Sequence, residues 1–278
     1  TSSSGTLYVY NNAYTLTLNS RITNNLSGGT VQLVLAGAGG VTLASGSNSY
    51  TGGTVVDAIP LTLAAGGKLP AGGLTLNAAT FTQNLGGIID PSTVLTLNGN
   101  STATLIAGTA NTLAGIAFNN TGGGTSVPTL NTGSILTVTG TVSSTSSNPA
   151  GSSSISNTSI LNFGTLSAPF NVSPVSFNGV DVAPLIASLN VSGVIRGSAG
   201  LTLNGNGVLQ LSAVQPYTGT TTVGGSSALQ IGVASGGSPL SLVNLTSATS
   251  RLNLNAFSTT LGGLAGSGVV TNSSGTGA

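Results

Sequence analysis

The sequence has few side chains that support acid–base, nucleophilic or metal-binding chemistry. Its 278 residues include no His, Cys, Met, Trp or Glu and carry only seven formal charges. These charges are spread singly along the chain, at Arg21, Lys68, Arg196, Arg251, Asp57, Asp90 and Asp181. Catalysis by Ser-His-Asp or Cys-His sets is excluded, because both need His or Cys. A zinc site lacks its commonest ligands for the same reason.

The three aspartates do not form an enzyme-like pair in the sequence. Glycoside hydrolysis needs two carboxyl groups facing one bond, and calcium loops need several acidic residues close together. Asp57 follows a strand-like phrase and Asp90 precedes Pro91, so both are interpreted first as turn residues. We therefore expect no enzyme activity and no cofactor, and a glycan-degrading enzyme ranks as the third hypothesis.

Charge and hydropathy also restrict the partners. Four basic residues and a net charge of +1 cannot neutralise the phosphates of a nucleic acid, so none is expected. No run of 18 apolar residues exists and no basic amphipathic face is present, so we expect no membrane insertion. Gly/Ser/Thr-rich composition is also typical of disorder, but the regular Leu and Val phrases favour a folded chain.

Short alternating phrases of apolar and polar residues recur along the whole chain. The period of two predicts an all-β protein with very short strands, since Gly-Gly and Asn-Gly turn signals separate the phrases. The phrases are 7–9, 16–18, 41–43, 61–63, 74–76, 95–97, 136–138, 201–203, 209–211, 229–231 and 252–254.

Longer phrases repeat as well. Gly40–Leu43 leads to Tyr50–Val56, and Gly200–Leu203 leads to Tyr217–Val223, which indicates two copies of one unit. A second shared phrase follows each copy, Phe81–Ile88 and then Phe257–Leu264.

This pattern predicts a right-handed parallel β-solenoid (β-helix), with a β-sandwich as the alternative. About 20 residues per coil and a rise of about 4.8 Å give a rod on the order of 65 Å long. We expect solenoid coils at 1–140 and 199–278, and irregular coils, a lateral insertion or a small separate domain at 141–198. The last segment is Ser-rich and contains Pro169, Pro174 and Pro184, and its phenylalanines, Phe163, Phe170 and Phe177, are predicted to form a local core.

The phrases Ser49–Val55 and Leu261–Val270 resemble the passenger-associated repeats of bacterial autotransporters. The resemblance covers residues 40–56, 81–88, 200–223 and 257–270. It implies a β-helical stalk exported to the cell surface, often adhesive or structural, with no catalytic set in the repeat. These 278 residues depart from that pattern, since we expect no C-terminal membrane domain among them.

Two candidate surfaces remain. Tyr8, Tyr10 and Tyr14 are clustered, and they predict either packing against a neighbour or a platform for a surface glycan. Thr6, Leu7, Val269 and Val270 are candidates for stacking between subunits, because the sequence shows no charged cap at either end and the strings at 1–6 and 271–276 match. Head-to-tail stacking of this kind would produce a homo-polymer.

The sequence favours a non-enzymatic structural protein of the cell surface. Thr1 opens a chain without Met or Cys, so we expect an exported bacterial protein, extracellular or surface-attached, whose signal segment has been removed. The leading hypothesis is a solenoid subunit of a filament, stalk or layer, and the alternative is an adhesin that binds glycan or host surface.

Overall fold

The computed structural model describes residues 3–106, 110–182 and 186–273. These ranges contain 31 strands and no helix, and hence no helix suited to crossing a membrane. The first strands in chain order are β1 Gly5–Asn11, β2 Leu16–Leu18, β3 Val31–Gly37, β4 Val41–Leu43, β5 Thr54–Asp57, β6 Pro60–Leu63, β7 Lys68–Leu69, β8 Leu74–Asn77, β9 Thr80–Gln83, β10 Ile88–Ile89, β11 Val94–Asn98, β12 Thr102–Leu105, β13 Asn111–Leu113, β14 Gly115–Asn120, β15 Thr129–Thr132 and β16 Ile135–Val138. The remaining strands are β17 Val142–Ser146, β18 Ser153–Ile155, β19 Ile160–Asn162, β20 Ala168–Phe177, β21 Val180–Asp181, β22 Leu189–Val191, β23 Val194–Arg196, β24 Leu201–Asn204, β25 Val208–Leu211, β26 Thr221–Val223, β27 Ala228–Ile231, β28 Leu242–Leu245, β29 Arg251–Asn253, β30 Gly263–Gly266 and β31 Val269–Thr271.

The strands stack into a parallel β-solenoid of about 12 coils. Sheet A has the order β1-β3-β5-β8-β11-β14-β17-β20-β24-β26-β28-β30, and sheet B has the order β2-β4-β6-β9-β12-β15-β18-β22-β25-β27-β29-β31. Two shorter sheets, β7-β10 and β13-β16-β19-β23, form part of a third side. The predicted β-solenoid is therefore confirmed, and the β-sandwich alternative is wrong, because each long sheet pairs every coil with the next in parallel.

Coil length separates two kinds of coil. Thr54 pairs with Leu74 and Leu74 with Leu95, offsets of 20 and 21 residues, and we call the coils of β5 to β12 the regular coils. Val142 pairs with Phe170 and Phe170 with Leu203, offsets of 28 and 33 residues, and we call the coils of β17 to β23 the long coils. Because the long coils use more residues per turn, the rod is about 55 Å long rather than 65 Å.

The core consists of rows of inward side chains that continue from coil to coil. One row of sheet A passes through Val56, Leu76, Leu97, Phe118 and Ser144, and all but Ser144 are apolar. These residues are fully buried. The alternation of the strands places every second residue in such a row, so burial of aliphatic surface and the backbone ladder reinforce each other.

Glycine is required where neighbouring corners approach closely. Gly53 and Gly72 both have positive φ, and a Cβ at either position would collide with the backbone of the other corner. Any other residue here would meet both backbone strain and a steric clash. The Gly-rich corners thus permit the close stacking of successive coils.

The two buried tyrosines occupy equivalent corners. The Tyr50 hydroxyl hydrogen-bonds the Thr54 hydroxyl at 2.7 Å, and the Tyr217 hydroxyl hydrogen-bonds that of Thr221 at 2.8 Å. Tyr50 precedes β5 and Tyr217 precedes β26, and both strands belong to sheet A. Burial raises the pKa of both phenols to about 12, although the threonine hydrogen bond acts in the opposite direction.

The rest of the repeated unit is not structurally equivalent. Gly40–Leu43 contains β4 of sheet B, whereas Gly200–Leu203 leads into β24 of sheet A. The sheet B strand that precedes the Tyr217 corner, as β4 precedes the Tyr50 corner, is β25. Phe81 is buried in β9, but Phe257 lies in a turn after β29. Short Leu-Thr-Leu phrases fit either sheet, so phrase similarity alone could not assign them.

Residues 141–198 contribute strands to both long sheets. In this segment Phe163 and Phe170 pack with their ring centroids 5.9 Å apart. Phe177 does not join them and is 46% exposed, because it lies near the tip of the β20–β21 hairpin. The prediction of Phe177 as a core residue is therefore wrong. Pro184 lies outside the described residues.

Candidate functional site

The three aspartates lie in different parts of the fold. Asp57 ends β5, Asp181 ends β21, and Asp90 sits in a turn where the Ser92 hydroxyl donates to its carboxylate at 2.6 Å. This hydrogen bond is the main cause that lowers the pKa of Asp90. Within the described ranges, no three acidic, Cys or His residues come close enough to share a metal ion. The geometry offers no paired carboxylates for acid–base catalysis.

The predicted tyrosine cluster lies on the outside of the first coil. Tyr8 and Tyr10 pair with Val34 and Ala36, on the outward face of sheet A, and are 73% and 72% exposed. Tyr14 lies in the turn after β1 and is 93% exposed. Tyr8 and Tyr10 are thus side by side on one face, whereas Tyr14 is separate from it.

The four stacking candidates lie in the two end coils. Thr6 and Leu7 belong to β1, and Leu7 continues the inward row above Leu33. Val269 and Val270 belong to β31, and Val270 continues the inward row of Leu252. Leu7, Val269 and Val270 are each at least 40% exposed. Residues 1–2 and 274–276, which carry parts of the matched terminal strings, lie outside the described residues.

A ladder of polar side chains follows the outer face of sheet A. The Asn98 amide donates to the Asn77 side-chain oxygen at 2.6 Å, and the Asn119 amide donates to that of Asn98 at the same distance. Asp57 accepts from the Asn77 amide at the start of the ladder. At the other end the Thr145 hydroxyl donates to the Asn119 oxygen at 2.9 Å. The ladder satisfies these side chains from one coil to the next.

An open cleft of about 350 Å³ adjoins the end of this ladder. One wall is formed by Thr121 and residues 145–147, and the other by residues 173, 174, 176 and 181 of the β20–β21 hairpin. The hairpin turns at Asn178 and Gly179, both with positive φ. Ser176 pairs with Asp181, so both side chains lie on the same face of the hairpin and face the cleft.

Sequence reasoning did not identify this cleft. The Asn178-Gly179 dipeptide between Phe177 and Val180 is a hairpin signal that could have located the excursion. The opposite wall could not have been located, because Thr121 and Thr145 reach it only through the coil register. Asp181 was noted only as one of three isolated acids.

Comparisons with known proteins assign no family to this chain. No protein-family model, no curated protein and no solved structure matches it.

Proposed function

We propose that this chain is a non-enzymatic structural protein of a bacterial surface, a β-solenoid subunit that stacks end to end in a filament, stalk or layer. The main supporting observation is that inward-facing apolar side chains are exposed in the two end coils. Leu7 and Leu16 in the first coil, and Leu264 and Val270 in the last, point along rows that are buried elsewhere, yet all four are exposed.

A further coil would cover these side chains and pair the outer edges of β1 and β31. Unpaired strand edges are templates for another chain, and they are usually blocked by charge, proline or a covering element. The four end strands β1, β2, β30 and β31 contain no charged residue. The strands that pair with them contain one, Arg251 in β29. Stacking of identical ends is a heterologous contact, which produces an open filament when it does not close.

Composition supports a location outside the cell. A chain with only four Lys and Arg residues offers few sites to trypsin-like proteases, and the absence of cysteine avoids unwanted thiol chemistry. The autotransporter-like phrases at 49–55 and 261–270 point in the same direction. A nearly uncharged surface also provides little repulsion against self-association.

Electron microscopy and sedimentation of the 278-residue chain test this proposal. We expect concentration-dependent rods whose axial repeat is close to the length of one solenoid, about 55 Å. Leu7→Lys and Val270→Lys should prevent elongation, since each places a charge in a row that the next coil would bury. Thr75→Lys, on the outer face of a regular coil, is the matched control and should polymerise normally. Wild-type chains that stay monomeric at all concentrations would overturn stacking between copies.

The exposed pair Tyr8 and Tyr10 favours a second candidate, an adhesin that binds a surface glycan. Two exposed aromatic side chains on one face of a sheet offer stacking surface for sugar rings. In this case Tyr8→Ala and Tyr10→Ala should abolish glycan binding and leave assembly intact. Tyr14→Ala is the matched control, because Tyr14 lies away from that face. Unchanged glycan binding in both variants would exclude this surface.

A further inference from the structure

The cleft beside the β20–β21 hairpin arises from a local departure from the solenoid. Strand β20 follows β17 in register up to Val172, and then the register shifts, so that Ser146 pairs with Val175. Pro174 lies within the shift and cannot donate to the ladder. Beyond it β20 continues into an antiparallel pairing with β21, and Val182 N–H donates to the Val175 carbonyl at 2.9 Å. The hairpin is thereby held out from the coil and leaves a concave space.

Several polar side chains that line this cleft make no hydrogen bond within the described residues, in contrast to the neighbouring ladder. Thr145 and Ser146 also line it, but their hydroxyls bond to Asn119 and Asn148. The hydroxyls of Thr121, Ser147, Ser173 and Ser176, and the carboxylate of Asp181, make no side-chain hydrogen bond in the described part of the chain. Five residues that carry such a group therefore line one cavity.

We propose that this cleft binds a neutral saccharide of one or two sugar rings, with the Asp181 carboxylate accepting hydrogen bonds from ring hydroxyls. Serine and threonine hydroxyls both donate and accept, which matches the hydroxyls of a sugar. Pro174 and the methyl groups of the threonines supply apolar surface for the C–H faces of the ring. A volume of about 350 Å³ lies at the small end of the usual range for ligand pockets.

The charge of the lining selects against other ligands. Asp181 is the one ionisable side chain among the lining residues and no basic group accompanies it, so an anionic ligand would meet repulsion. A calcium site usually combines several oxygen ligands with more than one carboxylate, and this cleft has a single carboxylate. A neutral polyol satisfies the hydroxyls and the carboxylate without an unpaired charge.

The site is independent of end-to-end stacking, because it lies on the side of the rod in the long coils. It is also separate from Tyr8 and Tyr10, which belong to the first coil. The failure of either earlier proposal therefore leaves this one standing.

An array of neutral, acidic and basic oligosaccharides, followed by calorimetry with the neutral hits, tests the site on the full chain. We expect binding of neutral glycans, weakened at least about tenfold by Asp181→Ala, as the loss of a charged hydrogen bond predicts. Thr121→Val should weaken the same ligand from the opposite wall. Asp57→Asn, at the far end of the ladder, is the matched control and should bind as the wild type does.

Circular dichroism establishes that each variant keeps its β structure, and Ser147→Ala provides a milder variant if Asp181→Ala fails to fold. Three results would overturn the proposal. The first is that the folded chain binds no neutral glycan. The second is that binding survives both Asp181→Ala and Thr121→Val. The third is that calorimetry shows calcium chloride alone binding in the cleft.

Discussion

The regular coils and the long coils share the same two sheets but fill them with different chemistry. In one inward row of sheet A, the regular coils contribute Val56, Leu76 and Leu97, whereas the long coils contribute Ser144 followed by Val172. Several buried polar residues lie in or beside the long coils, namely Asn120, Ser146, Asn148, Ser153 and Ser188. The backbone ladder and the aliphatic core are therefore common to both regions, and the long coils differ by placing a buried hydroxyl, that of Ser144, within a core row.

This difference shows how a solenoid accommodates a segment that leaves its coils, here the β20–β21 hairpin. The regular coils return to register every 20 or 21 residues because each row residue must cover the one below. In the long coils, side-chain hydrogen bonds replace part of that packing: the Ser144 hydroxyl donates to the Ser188 carbonyl at 3.1 Å, and the Asn148 amide donates to the Asn120 oxygen at the same distance. Such bonds fix local geometry and leave the chain outside the coil free to form the hairpin.

The largest effect is expected from shortening the aliphatic row of the regular coils. Leu97→Ala creates a cavity in a fully buried row and should lower the free energy of unfolding by about 2–5 kcal/mol. Ser144→Ala, in the same row of the long coils, should cost only about 1 kcal/mol, because it removes a single hydrogen bond. Urea unfolding of both variants measures the contrast. Equal losses would show that the two regions are packed alike.

An effect of intermediate size on the free energy of unfolding is expected at alkaline pH, from the buried tyrosines at the two corners. The folded-state pKa of Tyr50 and Tyr217 is about 12, above an ordinary value of about 10, so the folded chain retains the phenol proton more strongly. This stabilising contribution is complete below pH 10 and is lost as the pH rises through 12, by roughly 2–3 kcal/mol per tyrosine.

Urea midpoints between pH 8 and pH 12 measure this loss. Tyr50→Phe and Tyr217→Phe should each remove the same share of it, since equivalent corners flank the long coils on both sides. Tyr14→Phe, which is exposed, serves as the control. A pH dependence that both buried variants retain would contradict the assignment.

The smallest effect concerns an unpaired hydroxyl in the long coils. The Ser153 side-chain oxygen is buried and has no hydrogen-bond partner among the described residues. Ser153→Ala removes its desolvation cost and should be neutral or stabilise the fold by up to about 1 kcal/mol. Thermal unfolding of Ser153→Ala, compared with the wild type and with Ser144→Ala, measures this change in stability. A clear destabilisation would show that Ser153 is hydrogen-bonded in solution.

Most of the regular architecture could be predicted from local pattern. Phrases such as Leu74–Leu76 and Leu95–Leu97 alternate so regularly that strand, inward face and outward face follow directly. The Tyr50 and Tyr217 phrases located equivalent corners, because a buried phenol with a threonine four residues later has a specific geometry. For the Ser-rich long coils the sequence predicts irregular coils, a lateral insertion or a small separate domain without deciding among them, since their structure depends on hydrogen bonds between residues 28 to 44 positions apart.

The sequence by itself determined that the chain is all-β, and it favoured a solenoid over a sandwich. The repeat of apolar side chains every second residue allows only strands that share a core, and the missing His, Cys and Glu remove most reactive groups. Only the tertiary structure decided which coil each phrase joins and where side chains from distant coils meet. Thr121 and Asp181 face one cleft because a register shift in β20 displaces the hairpin, and such a shift depends on pairing between strands rather than on local sequence.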